Sequence, residues 1–143
     1  MTRVLVIEDG GEYAAFVQAF LAEACACEVA HSGAEALAKA ARAEVFLVDL
    51  RFERAPVEAL LGDVDAVAAS LYGGERARAE RHLQDQQGTY ILRALRGAGH
   101  RQRAVFVHDF PARRLENLRT LYGDVCATPS FDVTALRALL VNP

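Results

Sequence analysis

Three carboxylates stand where this chain could do chemistry. Glu8 and Asp9 lie side by side at the end of the apolar run in "VLVIEDGGEY" (residues 4–13), and Asp49 ends a second run, "VFLVD" (45–49). Crowded carboxylates repel, and burial raises their pKa values unless a cation joins them. Mg2+ is the natural cation, because it prefers oxygen ligands and keeps several waters. An aspartate held beside Mg2+ can also attack a phosphoryl group and form an acyl phosphate. Such transfer depends mainly on positioning and on neutralising charge at the equatorial oxygens. The competing reading of the same three residues is a vestigial acidic pocket, open to solvent.

Other chemistries fit less well. Gly10-Gly11 is not a G-x-G-x-x-G turn, and no G-x-x-x-x-G-K-[ST] loop occurs. A phosphate approaching "EDGGEY" would meet repulsion, which argues against a flavin site. His31, His82, His100 and His108 have no Ser or Cys nucleophile in a matching loop. Cys25, Cys27 and His31 form a C-x-C-x3-H string, which supplies three zinc ligands at most; small buried thiols are the simpler reading.

The elements that would position the acids alternate. Residues 3–7 read as a buried strand, 12–24 as an amphipathic helix, and 27–30 as a short strand. Ser32 and Glu35 match a capping box for a helix ending near Arg42. Continuous apolar strands follow at 45–49 and 104–108, the kind buried on both faces of a parallel sheet. Pro111 opens a helix over 111–122 that Gly123 closes; "VCAT" (125–128) is a fifth strand, and Asp132 caps a last helix to about Val141. This alternation predicts an α/β protein, a doubly wound parallel sheet of flavodoxin-like (βα)5 type with strand order 2-1-3-4-5. Sites in such sheets form at the carboxyl ends of the strands. In that order the first and third strands are neighbours, so Glu8, Asp9 and Asp49 meet at one edge.

The 143 residues allow one domain with a proper core, here taken as 1–143. Hydrophobic residues make up 52%, charged residues 24%, and the net charge is −3, a globular composition without a basic stripe for nucleic acid. No run is long enough for a membrane span, no signal segment opens the chain, and three cysteines form no even framework, so a cytoplasmic location is expected. The last helix runs almost to Pro143, which suits either a stand-alone regulator or part of a longer chain.

With these residues in view, the sequence resembles the receiver domains of bacterial two-component response regulators. "VLVIEDG" is similar to their first strand and acidic pair, "VFLVDLRF" to the strand bearing the phosphoacceptor, and "GTYILRALR" to the third helix. "VCATPSFDVTALRALL" looks like the last strand, its Pro and the last helix. The resemblance covers the chain except about 52–86. It implies that Asp9 and Asp49 hold Mg2+, that Glu8 assists through water, and that Asp49 accepts phosphate from a histidine kinase.

Departures fall in the switching half of the site. Where the family has a lysine before the Pro after the fifth strand, this chain has Thr128. Where it has a Ser or Thr ending the fourth strand, the match is His108. The aromatic of the fifth strand is Val125, and the Pro after the phosphoacceptor is displaced to Pro56. The resemblance therefore implies an atypical, pseudo-receiver-like module that binds a protein partner, a histidine kinase or another signalling protein, with degenerate phosphorylation switching. A phosphate-accepting receiver and a Mg2+-dependent phosphotransfer enzyme are the alternatives.

The segment at about 52–86 is far longer than a crossover helix needs. A structureless loop of that length is unusual inside a compact domain, so helices are expected. "ERARAERHLQDQQ" reads as a polar extension of a helix running from Glu75 to Arg96, with Gly88 as its weak point. Leu60, Leu61, Val64, Val67 and Leu71 exceed what a solvated loop needs and must bury against the domain or a second chain; a lid over the site is the plainer outcome, and a surface for a partner or a second copy of the chain is the preferred one.

Overall fold

The computed structural model describes Met1–Pro143. Five strands, β1 (Thr2–Ile7), β2 (Cys25–Ala30), β3 (Val45–Val48), β4 (Arg103–Val107) and β5 (Val125–Thr128), form one sheet in the order β2-β1-β3-β4-β5. Every pairing is parallel; Val4 lies opposite Cys27 on one side and Val45 on the other. The flavodoxin-like arrangement expected from the alternation of elements is thus the one observed.

Strand periodicity divides the core into two layers. Val4 and Val6 point to one face with Val45, Leu47 and Val105, where they meet α1 (Glu12–Phe20) and α7 (Val133–Leu140). Leu5, Ile7, Phe46, Val48 and Phe106 point to the other, where α2 (Gly33–Lys39), α5 (Gln87–Gly97) and α6 (Ala112–Tyr122) pack. Alternating residues of fully buried strands therefore serve two different helix layers.

Local signals act as the sequence suggests. Ser32 Oγ accepts the Glu35 N–H at 3.2 Å; the returning Glu35 carboxylate takes the His31 N–H at 2.6 Å, one residue before the cap. Asp132 caps α7 through the Ala135 N–H at 2.9 Å, and Gly123 closes α6 at φ 80°. α1 is shorter than expected. It ends at Phe20, because the fully buried Leu21 turns into the core and the chain then enters β2 at Cys25 rather than at Cys27.

The long segment after β3 is helical, as expected, but it is not a free surface. A 3-10 turn (Val57–Ala59) leads into α3 (Val64–Leu71) and α4 (Arg76–Asp85). Phe52, Leu60 and Leu83 belong to the same apolar layer as Phe46 and Phe106, and Leu61, Val64 and Val67 pack against it. Of the five residues expected at an interface, only Leu71 stays open, at 60% exposure. The expectation of a partner or self-association surface here is therefore corrected: these side chains complete the domain's own core.

Two residues lock the segment in place. The buried Gln87 amide accepts the Leu61 N–H at 2.8 Å and donates to the carbonyls of Leu61 and Leu83, each at 3.1 Å. Gly88 lies against the chain at Asp49–Leu50, where a Cβ would collide with the Asp49 carbonyl oxygen. The helix expected over Glu75–Arg96 is accordingly two helices, broken at Gln86, with Gly88 chosen for close approach rather than as a weakness.

Candidate functional site

β1 and β3 deliver their last acids to one end of the sheet, but the three carboxylates do not share one role. Glu8 is fully buried, and its carboxylate accepts the N–H groups of Tyr13 at 3.0 Å and Ala14 at 2.9 Å. These are orphan donors in the first turn of α1, whose own Gly11 cap offers no side chain. Glu8 therefore caps a helix. That turns it away from the cleft where the other two acids lie.

Asp9 and Asp49 do face a common open cleft of about 290 Å³, which they line with Glu12, Tyr13, Arg51 and Arg54. Asp49 Oδ1 accepts the Arg51 N–H at 3.2 Å and the Tyr13 hydroxyl at 3.3 Å; the same hydroxyl also lies 3.3 Å from the Val107 carbonyl. The Asp49 carboxyl is pushed up to about 6, first by burial and then by the charge of Asp9, against the lowering effect of its two donors. Tyr13 is held as a neutral phenol, raised above its ordinary value by burial and by Asp49. Its ring meets Phe131, which stacks in turn on Phe16, both at 4.9 Å.

A strap from the segment after β3 crosses this cleft. The Arg54 N–H donates to Asp9 Oδ2 at 2.7 Å, and the Arg54 guanidinium pairs with Glu12 at 2.9 Å. The guanidinium also feels the charges of Asp9 and Asp49. It lies so close over Gly10 that a Cβ there would strike it. Both side chains of the pair are exposed and flexible, so a Cβ at Gly10 would displace the Arg54–Glu12 pair rather than the backbone.

The remaining sequence candidates sit apart. Thr128 is buried and its hydroxyl turns to the Ser130 carbonyl at 3.3 Å, outside the lining of the cleft. His108 is also outside that lining; its ring packs on Phe110 at 4.6 Å and its pKa is lowered, first by burial, then by Arg51 and Arg114. Val125 is buried in the core. Cys25 and Cys27 lie in the α1–α7 layer, where burial raises both thiols, Cys27 to about 11, while His31 Nδ1 contacts the Glu8 carbonyl at 2.9 Å. No group of three or more His, Cys, Asp or Glu is arranged to hold a metal ion.

The cleft is nonetheless chemically suited to Mg2+. Two carboxylates of like charge, one with its proton affinity raised by the other, suit a hard cation that needs only one or two protein oxygens besides water. Tyr13, Arg54 and Phe131 escaped the sequence reading. Tyr13 lies within the helical periodicity of α1, and Arg54 and Phe131 sit in loops whose path no periodicity reveals.

No protein-family model and no curated protein matches the sequence. Solved structures do match, over nearly the whole chain. The receiver domain of a Francisella response regulator shares 18% identity at a TM-score of 0.58, covering 95% of this chain and 90% of that one. A two-component response regulator from Clostridium difficile shares 13% at a TM-score of 0.62, covering 96% and 91%. The fold is that of response-regulator receiver domains. A third receiver-fold neighbour, a response regulator from Burkholderia pseudomallei with a phosphorylated aspartic acid, calcium ion and citrate, shares 17% at a TM-score of 0.61, covering 99% of this chain and 68% of that one. Two helices, α3 and α4, lie between β3 and α5, and no helix is long and apolar enough to cross a membrane.

Proposed function

We propose that this chain is a receiver-fold module of two-component signalling that acts by binding a protein partner, and that phosphorylation of Asp49 is not its switch. The observation that carries this reading is the strapped cleft: Asp9 already accepts the Arg54 N–H, and the Arg54 guanidinium lies across the entrance. The readout positions support it, since the Thr128 hydroxyl is engaged with Ser130 and Val125 is core. Thr128, standing where the family has a lysine, supplies no charged donor, and losing one such donor costs a transfer step a few kcal/mol of stabilisation. Mg2+, held by Asp9 and Asp49 with water, would neutralise charge in the cleft. The partner class is a histidine kinase or another signalling protein.

A second reading, a phosphate-accepting receiver, draws on one observation. Asp49 Oδ2 carries no hydrogen bond and faces the cleft beside Asp9. Incubation with Mg2+ and acetyl phosphate, followed by intact mass, separates the two. The interaction-module reading expects an unmodified mass, and stoichiometric addition of one phosphate that Asp49→Asn abolishes would replace it with the second. A turnover phosphotransferase is disfavoured because His108, the residue following β4, lies outside the cleft lining.

A further inference from the structure

On the opposite side of α5 from α2, between α5 and α6 and against the end of α4, lies an open cavity of about 380 Å³. It is lined by Arg93, Arg114, His82, Tyr90, Tyr122 and Gln86. No carboxylate faces it, although Asp and Glu outnumber Lys and Arg in the chain by 19 to 16. Nothing in the receiver-type reading of the acidic cleft uses these groups.

The arginines are placed in two complementary ways. Arg114 is held: its Nη2 donates to Gln86 Oε1 at 2.6 Å, and its guanidinium lies 5.6 Å above the Phe110 ring. Arg93 is free, taking part in none of the ion pairs of the molecule. An adjoining cleft shares His82 and Gln86 and adds Arg78 and Arg81, with Asp85 as its single acid. His82 is itself anchored by Tyr72 at 3.1 Å. The result is a concentration of donors on a chain of net negative charge.

We infer that this cavity binds a small phosphorylated molecule, its phosphate gripped between Arg93 and Arg114. Guanidinium forks match phosphate oxygens bidentately, and the phenols of Tyr90 and Tyr122 add neutral donors. The volume falls in the range of small-ligand sites, yet the lining is too polar for an apolar ligand. Tyr90 and Tyr122 stand in the same lining as the arginines, so a base carried on the phosphate has aromatic partners there and ATP probes more of the site than pyrophosphate.

The test is calorimetric titration of the full chain with pyrophosphate and with ATP, in metal-free buffer at physiological salt, so that the acidic cleft takes no part. Saturable one-site binding is expected, tighter for ATP if the rings engage the base and equal if phosphate alone is read. Arg93→Ala should weaken it at least tenfold. That side chain is exposed and unpartnered, so the fold should survive, which a thermal melt verifies. Arg3→Ala, on the far edge of β1 and paired with Glu44, should leave binding unchanged. No saturable binding of either ligand at millimolar concentration would overturn the inference, as would an equal loss in both variants.

Discussion

The Asp49→Asn variant should be more stable than the parent protein, and only above acid pH. In the folded chain the Asp49 carboxyl is raised from its ordinary 3.8 to about 6, chiefly by burial and next by Asp9. A carboxyl raised on folding costs nothing below 3.8, where it is protonated in both states. The cost enters as pH rises through the unfolded value and is complete above about 6. The shift corresponds to roughly 3 kcal/mol at most. Because the carboxylate opens partly to the cleft, solvent screening reduces this to about 1–2 kcal/mol. Asn keeps an oxygen to accept the Arg51 N–H and the Tyr13 hydroxyl. Urea denaturation at pH 8 should therefore favour Asp49→Asn by about 1–2 kcal/mol, with the difference vanishing at pH 3.5. Saturating Mg2+ at pH 8 should narrow the gap, since it stabilises only the carboxylate form. A variant less stable than the parent at pH 8, or equally favoured at both pH values, would refute the assignment of Asp49 as a largely buried acid without a cationic partner.

Further outcomes follow from the segment after β3 and from the strap. Leu83→Ala empties a fully buried site between α4 and the sheet and should cost about 2–5 kcal/mol by chemical denaturation. Deleting residues 53–85 with a short Gly-rich join should abolish cooperative unfolding, because Leu60, Ala68, Ala79 and Leu83 leave the core with it; a deletion variant that melts like the parent would show the segment to be an appendage. Gln87→Leu leaves Leu61 without its buried partners and should cost about 1–3 kcal/mol, accompanied by faster amide exchange at Leu61. Arg54→Gln should tighten Mg2+ binding about two- to fivefold, the modest size expected of an exposed ion pair, as read by calorimetry; weaker binding in the variant would mean that Arg54 assists the cation rather than competing with it.

The sheet was legible because β1, β3 and β4 are built on continuous apolar runs and start and stop signals, from the Ser32 cap to Gly123, separate the elements. Strand order followed from the alternation of elements. The approach of Asp9 to Asp49 followed in turn from that order. What the sequence concealed is carried by atoms rather than patterns. Glu8 and Asp9 are adjacent acids with the same local context, yet a strand's alternation sends one inward to cap α1 and leaves the other in the cleft. Leu60, Leu61, Val64 and Val67 were correctly read as needing burial. Their partner was misjudged, since apolar periodicity says that a face is covered and not by what. Gly88 read as a weak point of a helix, whereas the Asp49–Leu50 backbone lying against it leaves no room for a Cβ.

The separation of the acidic cleft from the readout positions is tested most directly by amide NMR of the protein with Mg2+ and beryllofluoride, a mimic of the aspartyl phosphate. Shifts should stay within the cleft lining, Asp9, Glu12, Tyr13, Asp49, Arg51, Glu53, Arg54 and Phe131, with Val125 and Thr128 unmoved at saturation. Shifts running from Asp49 through β4 into α6 and β5 would contradict the account and establish a working phosphorylation switch.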